Sequence, residues 1–330
     1  MAIPDYPLTF EPVYKDYIWG GRRIPRKYER GDAPGNVCAE SWEISDRTDG
    51  MSVVTNGPHA GTSLAELLAR YPDAMLGAGV DGRSNRFPLL IKLIDAKETL
   101  SVQVHPDDDA AARYGGEAKT EMWVILEAGT GSGVYAGLKP NVTEASFREA
   151  LKDERIEAMV PFREVTPGDV IFVPGGRVHA IGAGCLLLEV QQNSNTTYRV
   201  YDWGREAADG TRRELHIDDA CRVIRWNDGD DPCVPPGPAE QHGSNQYQRL
   251  LDCAHFRLDR LSLQAPFAAA ESRAGVEVLF IAEGATDCRW AGGAVSMRPG
   301  STWLIPAALA SYELSPECQS STVIRIRPGR

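Results

Sequence analysis

Residues 87–121, FPLLIKLIDAKETLSVQVHPDDDAAARYGGEAKTE, join one apolar run to a second that carries polar side chains. Residues two positions apart on a β-strand point to the same face, so Gln103 and His105 can reach one point. Another apolar run at 168–182, GDVIFVPGGRVHAIG, supplies a further histidine. We therefore predict a strand-rich barrel in which four side chains converge, namely Gln103, His105, Glu121 and His179.

These four side chains offer two imidazoles, one carboxylate and one amide oxygen. Such a mixed nitrogen and oxygen donor set suits zinc or another borderline divalent ion. An open coordination position would make that ion a Lewis acid. We expect one metal ion per chain, and a nearby acid such as Asp107 could replace one of the four ligands.

Composition and charge exclude several classes of partner. The chain of 330 residues has a formal net charge of −11, which argues against nucleic acid or an anionic membrane as the main partner. No apolar run approaches the roughly 18 residues that a membrane span needs, and the N-terminus lacks a secretory pattern. The seven cysteines are scattered and form no CxxC pair, which favours a reducing cytoplasm over a disulfide framework.

The order of apolar runs and turn residues predicts a mainly β protein. Gly and Pro separate many short apolar runs, as in sandwiches and jelly rolls. A few short helices are indicated by helical spacing at 63–71, 141–159 and 216–224. Residues 227–242 are rich in Pro, Gly and Asp and predict a linker or a long loop.

An internal echo follows that linker. TEMWVILEAG at 120–129 is mirrored by GVEVLFIAEG at 275–284, and the run around His179 is mirrored by PGSTWLIPAALASYE. A gapless alignment sets His179 against Ser311. The sequence therefore predicts two copies of one barrel, with the metal chemistry kept only in the first.

This echo sets the expected domain boundaries. We predict an N-terminal catalytic barrel with a helical insertion at 1–226, a linker at 227–242, and a degenerate C-terminal barrel at 243–330.

Four dispersed motifs carry a family resemblance. SVQVHPDD, KTEMW, GDVIFVPGGRVHAIG and YRVYDWGR resemble, in this order, the motifs of type I mannose-6-phosphate isomerases of the shorter bacterial form. YIWGGRRIPRKY, ESWEISDR and RRELHIDDACRVI fit as well, so the resemblance covers most of the chain. It implies a bicupin fold of two jelly-roll barrels, bound Zn²⁺, and interconversion of mannose 6-phosphate and fructose 6-phosphate.

The resemblance also implies roles for individual residues. It matches Gln103, His105, Glu121 and His179 to the zinc ligands, and Arg199 to a catalytic or substrate-binding arginine. It matches Glu189 to an acid of the cavity and Ser101 to a serine on the phosphate side of the substrate. Lys119 lies two residues before Glu121 and would share its face on one strand. The base that moves the proton could be Glu189, Lys119 or a metal-bound water.

Two other functions remain open at this point. Another metal-dependent bicupin enzyme, such as a dioxygenase or a different sugar isomerase, could use the same ligands with iron or manganese. A sugar-binding cupin without turnover is the second alternative. Lys119, Glu189 and Arg199 favour a polar anionic sugar over the apolar substrate of a dioxygenase, so the expected partner is a small sugar phosphate, and the protein is expected to be a monomer or a homodimer.

Overall fold

Strands dominate the computed structural model, which describes residues 2–329 except residues 32, 34, 78–85, 207–209 and 270–274. The helices are α1 (Arg23–Lys27), α2 (Leu64–Arg70), α3 (Pro72–Leu76), α4 (Asp108–Tyr114), α5 (Glu144–Lys152) and α6 (Ile217–Val223), with 3₁₀ turns at Gly57–His59 and Ile156–Ala158.

The strands fall into two groups along the chain. The first group is β1 (Val13–Lys15), β2 (Glu40–Ile44), β3 (Leu89–Ala96), β4 (Val102–Val104), β5 (Glu121–Ala128), β6 (Gly133–Ala136), β7 (Phe162–Glu164), β8 (Val170–Val173), β9 (His179–Ile181), β10 (Cys185–Gln192) and β11 (Tyr198–Tyr201). The second group is β12 (Ala239–His242), β13 (Asn245–Asp252), β14 (Phe256–Leu263), β15 (Phe267–Ala269), β16 (Glu277–Glu283), β17 (Thr286–Trp290), β18 (Gly293–Met297), β19 (Thr302–Ile305), β20 (Tyr312–Pro316) and β21 (Ser321–Pro328).

Each group folds into one large and one small antiparallel sheet. In the first barrel, the order β1-β2-β3-β10-β5-β8 lies opposite β11-β4-β9-β6-β7. In the second barrel, β12-β13-β14-β21-β16-β19 lies opposite β15-β20-β17-β18. The large sheets repeat one strand order, so the predicted mainly β bicupin with a few short helices is confirmed.

One apolar core joins the two large sheets. Leu186, Leu188 and Val190 of β10 belong to the same buried cluster as Phe280 of β16 and Ile324 of β21. Since this cluster covers the outer face of the large sheet, β3 is buried along its whole length. The opposite face of β10 points into the first barrel, which leaves Glu189 on the inner side, as the alternation of apolar residues predicts.

Backbone and side-chain contacts also bridge the barrels. Leu8 and Leu304 exchange two backbone hydrogen bonds of 2.9 and 2.8 Å. Arg30 donates to both carboxylate oxygens of Glu43 at 2.7 and 3.0 Å, and also to the Gly300 carbonyl. The N-terminal segment therefore ties the second barrel to the first.

The segment predicted as a linker packs on the first barrel instead of crossing solvent. The amide of Leu138 donates to the Asp228 carbonyl at 2.6 Å, and the amide of Val234 donates to Val170 at 2.8 Å. Its last residues form β12, which pairs with β13. The boundaries at 1–226, 227–242 and 243–330 stay our proposal.

Three of the helices lie at their predicted positions, and three were not predicted. α2, α5 and α6 fall within the three predicted segments, whereas α1, α3 and α4 were not anticipated. Asp107 caps α4, because its side chain accepts the Ala110 amide at 2.8 Å. One oxygen of this carboxylate is therefore used at a helix terminus, and Asp107 is not part of the cluster formed by His105, Glu121 and His179. Among the described residues, no helix is both long and apolar enough to cross a membrane.

Candidate metal centre

The two sheets of the first barrel bring the predicted ligands to one point between them. In the small sheet, Gln103 of β4 pairs with Arg199 of β11 on one side and His179 of β9 on the other. In the large sheet, Glu121 opens β5 opposite Gln191. A row of polar residues on the small sheet thus faces a carboxylate from the large sheet.

The distances within this group are short. His179 Nε2 lies 3.2 Å from Glu121 Oε1, and His105 Nε2 lies 3.6 Å from Glu121 Oε2. One donor atom from each of these three residues lies within 4.8 Å of the others. Gln103 Nε2 is 3.4 Å from His179 Nε2. The two arms of an amide exchange by a half rotation, so Gln103 can also present its oxygen there.

The residues fit a divalent cation. His105, Glu121 and His179 are at most 1% exposed. Neither ring nitrogen of His105 and neither oxygen of Glu121 makes an aligned hydrogen bond. Buried polar atoms in such a state are rare and need an account. A cation bound by two imidazoles and a carboxylate would satisfy these atoms.

The electrostatics hold these groups in the protonation states that metal ligands need. Burial, followed by the Lys119 cation, holds the pKa of His105 well below its usual range, so the ring is neutral. Burial raises the pKa of Glu121, but Lys119 and the two imidazoles outweigh burial and hold that pKa well below its usual range. A neutral imidazole and an ionised carboxylate are the forms that bind a metal.

Lys119 reaches the same pocket as Glu121. Its Nζ lies 3.0 Å from Glu121 Oε2, and the side chain is buried. The Lys119 amide donates to the Pro106 carbonyl at 2.9 Å, which fixes the approach to β5. Lys119 precedes β5, so the two residues do not share one strand as the spacing argument required, but the Lys119 side chain still reaches Glu121.

Glu189 is held in a row that crosses the large sheet. The residues Trp42, Lys92, Glu189 and Trp123 lie opposite one another on β2, β3, β10 and β5. Glu189 Oε1 lies 3.3 Å from Lys92 Nζ, and Glu189 Oε2 accepts the Trp123 indole N–H at 3.0 Å. Burial, followed by the negative charge of Glu121, raises the pKa of Glu189. Glu189 therefore borders the candidate metal site with a fixed orientation.

Lys92 and Glu40 were missed by sequence reasoning. Lys92 Nζ lies 3.4 Å from Glu40 Oε2, which also accepts the Trp42 indole N–H at 2.7 Å. Burial lowers the pKa of Lys92, but Glu40 and Glu189 outweigh burial and raise it, so Lys92 is a cation between two carboxylates. The signal in the sequence was a single lysine inside the apolar run LLIKLI, because a buried charge requires a partner.

Arg199 and Ser101 form a second part of the pocket. Arg199 Nε donates to Ser101 Oγ at 3.3 Å, and one terminal nitrogen donates to the Glu214 carbonyl at 2.9 Å. Two more arginines, Arg205 and Arg213, hold the nearby Asp202 carboxylate. The three guanidinium groups at this end of the small sheet exceed the charge of Asp202, so the region suits an anion.

Known proteins match this chain in sequence. A family model described as the catalytic domain of phosphomannose isomerase type I matches residues 8–136. Among curated proteins, the mannose-6-phosphate isomerase ManA of Bacillus subtilis (strain 168) is 33% identical over 320 residues, covering 93% of this chain and 95% of the relative. The mannose-6-phosphate isomerase of Streptococcus mutans is 38% identical over 219 residues, covering 66% of this chain and 67% of the relative.

Solved structures give the same relationship. The mannose 6-phosphate isomerase from Bacillus subtilis superposes with a TM-score of 0.88 at 28% identity, covering 97% of this chain and 99% of that chain. A mannose 6-phosphate isomerase solved with zinc and yttrium shares the fold with a TM-score of 0.76 at 16% identity, covering 98% of this chain and 100% of that chain.

Proposed function

The chain belongs to the type I mannose-6-phosphate isomerase family, and from this membership we propose that it interconverts mannose 6-phosphate and fructose 6-phosphate. The observation that carries the proposal is the buried group of two imidazoles and one carboxylate, in which the ring nitrogens of His105 and the oxygens of Glu121 lack aligned hydrogen bonds. The lining by Lys119 and Arg199 supports a polar anionic substrate over the apolar substrate of a dioxygenase.

The metal is proposed to be one Zn²⁺ per chain, held by Gln103, His105, Glu121 and His179. Two imidazole nitrogens with oxygen donors support zinc among the divalent ions. Bound there, the ion would supply a Lewis acid for negative charge that develops on the substrate oxygens.

The reaction moves one proton between C1 and C2 of the sugar through an enediol, and another between O1 and O2. A base within hydrogen-bond reach of both carbons must carry the first proton. Lys119 and Glu189 are our candidates, because both are buried at the border of the ligand group. Lys92 and Trp123 hold the Glu189 carboxylate on one side, which supports a role at a fixed point in the pocket.

Arg199 and Ser101 are proposed to bind the substrate. The planar fork of donors on Arg199 suits a sugar oxygen or a phosphate. The hydrogen bond from Arg199 to Ser101 supports their joint use, and the neighbouring Arg205 and Arg213 add positive charge at the end proposed for the phosphate. This local field opposes the net negative charge of the whole chain.

The setting of the protein is part of the proposal. None of the seven cysteines forms a disulfide in the described structure, and three of them are not buried, which supports a reducing, cytoplasmic location. We propose a monomer or a homodimer that acts on a free sugar phosphate.

A coupled assay tests the function directly. Metal-loaded protein should convert mannose 6-phosphate to fructose 6-phosphate, chelation should abolish the activity, and Zn²⁺ should restore it. Several aldose phosphates and free mannose, assayed in parallel, would define the substrate. Binding of mannose 6-phosphate without any turnover by metal-loaded protein would contradict the proposal and favour a sugar-binding cupin.

A further inference from the structure

Arg177 lies two residues before His179 and makes a buried ion pair outside the ligand group. Its Nε and one terminal nitrogen donate to the two carboxylate oxygens of Asp228 at 2.8 and 2.7 Å. The side chains of both residues are about 5% exposed. A two-point contact between a guanidinium and a carboxylate fixes orientation as well as distance, so Asp228 fixes the side chain of Arg177 in place.

The main chain of Arg177 contacts the candidate ligand. Its carbonyl oxygen lies 2.9 Å from His179 Nδ1. A carbonyl can only accept, so Nδ1 carries the proton and Nε2 keeps its lone pair. Nε2 is the nitrogen that faces Glu121 at 3.2 Å. The Arg177 carbonyl therefore selects the tautomer that presents a lone pair to a metal.

The turn that carries this carbonyl has little freedom. The amide of Gly176 donates to the His105 carbonyl at 2.7 Å, so one turn contacts the backbone of His105 and the ring of His179. Gly176 has a φ of +87°, which favours glycine, and a Cβ on Gly175 would lie 2.5 Å from the Asp107 backbone. The backbone of this turn packs against Asp107 on one side, and the ion pair between Arg177 and Asp228 restrains it as well.

Asp228 belongs to the segment after α6 that the sequence predicted as a linker. Its carbonyl accepts the Leu138 amide at 2.6 Å, and its amide donates to Arg225 at 3.1 Å. Arg177 also donates to the Phe172 carbonyl at 3.0 Å, next to β8. The carboxylate is therefore fixed to the first barrel from two sides.

We propose that Asp228 and Arg177 are positioning residues that hold His179 as the Nδ1–H tautomer and thereby set the affinity of the first barrel for its metal. This inference rests on the proposed metal function of His179. Hydrogen-bond partners of metal-bound histidines change metal affinity by about 10- to 100-fold when they are removed. Here the partner is a backbone carbonyl, so the ion pair acts through the turn.

The experiment compares Asp228→Asn with wild type and with Asp231→Asn as a matched control. Asp231 lies three residues further along and is exposed. Its carboxylate is 3.9 Å from the Arg163 guanidinium, which is a long distance for an ion pair. The dissociation constant for Zn²⁺ alone is measured by competition with a chromophoric chelator. We expect binding to weaken about 10-fold or more in Asp228→Asn and to stay unchanged in Asp231→Asn. Turnover at saturating Zn²⁺ should recover.

One further measurement and one further variant separate the possible outcomes. Nitrogen-15 shifts of His179 in metal-free protein should report Nδ1–H in wild type and a mixture of tautomers in Asp228→Asn. If wild type binds no Zn²⁺, the metal function fails and the tautomer ratio alone decides the present inference. Should Asp228→Asn not fold, Arg177→Lys replaces it, since one contact of the ion pair is kept. A folded variant with wild-type Zn²⁺ affinity and an unchanged tautomer would overturn the inference.

Discussion

The two barrels place opposite charges at equivalent positions of their large sheets. Lys92 of β3 pairs with Glu189 of β10 in the first barrel, and Asp259 of β14 pairs with Arg325 of β21 in the second. The registers are equivalent, because β10 and β21 begin opposite the last residues of β3 and β14. Both barrels therefore carry a charged pair at this point, with opposite polarity.

The two barrels differ more at the positions of the candidate metal ligands. Glu121 opens β5 and Glu277 opens β16, so the second barrel keeps the carboxylate. Gln103 pairs with His179, whereas the equivalent strands pair Ala269 with Tyr312. By strand pairing, Tyr312 is therefore the residue of the second barrel that is equivalent to His179. The gapless alignment had set Ser311 there, one residue earlier. The two differ because the pairing register of the strands, and not the distance along the chain, determines which residues are equivalent.

Tyr312 closes the second barrel from within. Its hydroxyl donates to Glu277 Oε2 at 2.7 Å, in the place where the first barrel brings His179 to Glu121. The Asp259 carboxylate likewise accepts hydrogen bonds from the Tyr247 hydroxyl and from Arg249, Arg325 and Arg327. The second barrel pairs its buried carboxylates with hydrogen-bond donors of its own, whereas in the first barrel the oxygens of Glu121 face two imidazoles and Lys119 without an aligned hydrogen bond. One fold therefore serves as a structural unit or as a site, depending on which polar atoms it leaves unpaired.

The largest functional difference between the two barrels is expected at His179. We expect His179→Ala to lose bound metal and to lower kcat/KM at least about a thousandfold, because loss of a Lewis acid removes several kcal/mol of transition-state stabilisation. Elemental analysis and the coupled assay measure the two effects. Full metal occupancy with normal turnover in this variant would remove His179 from the site.

Asp259 tests the second barrel in the same way. Asp259→Asn leaves Arg249, Arg325 and Arg327 around a neutral amide, and we expect a loss of about 3 kcal/mol in the free energy of unfolding. Urea denaturation measures this loss, and metal content should not change. Asp252→Asn is the control, because Asp252 is exposed and its pairs with Arg249 and Arg257 should contribute about 0–1 kcal/mol.

Acid should erase the difference between wild type and Asp259→Asn. Burial raises the pKa of Asp259, but the Tyr247 hydroxyl and the arginines outweigh burial and lower it. A carboxyl with a lowered pKa stabilises the fold above its unfolded pKa of about 3.9, and this contribution is lost as the pH falls through the folded pKa. The difference in unfolding free energy should therefore be constant near pH 7 and shrink below about pH 4. A difference that grows with acid would contradict the assignment.

Tyr312→Phe should destabilise the second barrel without changing metal binding or turnover. It removes the hydrogen bond to Glu277 and should cost about 1.5–2 kcal/mol of stability, as expected for a bond to a buried charged group. Metal content and turnover should equal those of wild type, because the first barrel keeps all four candidate ligands. A fall in metal binding would show that the second barrel does more than support the first.

The smallest expected effect is that of Arg199→Lys. Lysine keeps the charge but loses the planar fork, so kcat/KM should fall at least about tenfold, or about 1.4 kcal/mol, with metal content unchanged. A loss confined to kcat would indicate that Arg199 acts on the enediolate, and a rise in KM alone would indicate that it binds the phosphate. Wild-type kinetics would exclude Arg199 from the pocket.

Much of the first barrel can be predicted from the sequence because its signals are local. Alternation along LLLEVQQ predicts both β10 and the inward direction of Glu189, and a spacing of two residues predicts that Gln103 and His105 reach one point. The repeat of apolar runs and PG turns predicts two copies of one barrel, and the family resemblance implies the confirmed bicupin fold.

The remaining features depend on pairings between distant parts of the chain. Glu40 and Glu189 meet Lys92 only through the strand order β2-β3-β10. Asp228 lies in a stretch whose Pro, Gly and Asp content predicts a loop, and composition does not indicate that one of its carboxylates is buried. Asp107 follows a strand, and the short helix that it caps has no strong apolar periodicity.

The shared core has a consequence for how the enzyme exchanges its substrate. Two domains that meet through a large apolar surface cannot rock as rigid bodies, because each displacement would expose that surface to water. We therefore expect the two barrels to keep a fixed relative position while substrate enters and leaves. Heating that melts the C-terminal barrel also removes the packing behind β10, so inactivation and global unfolding should coincide in temperature.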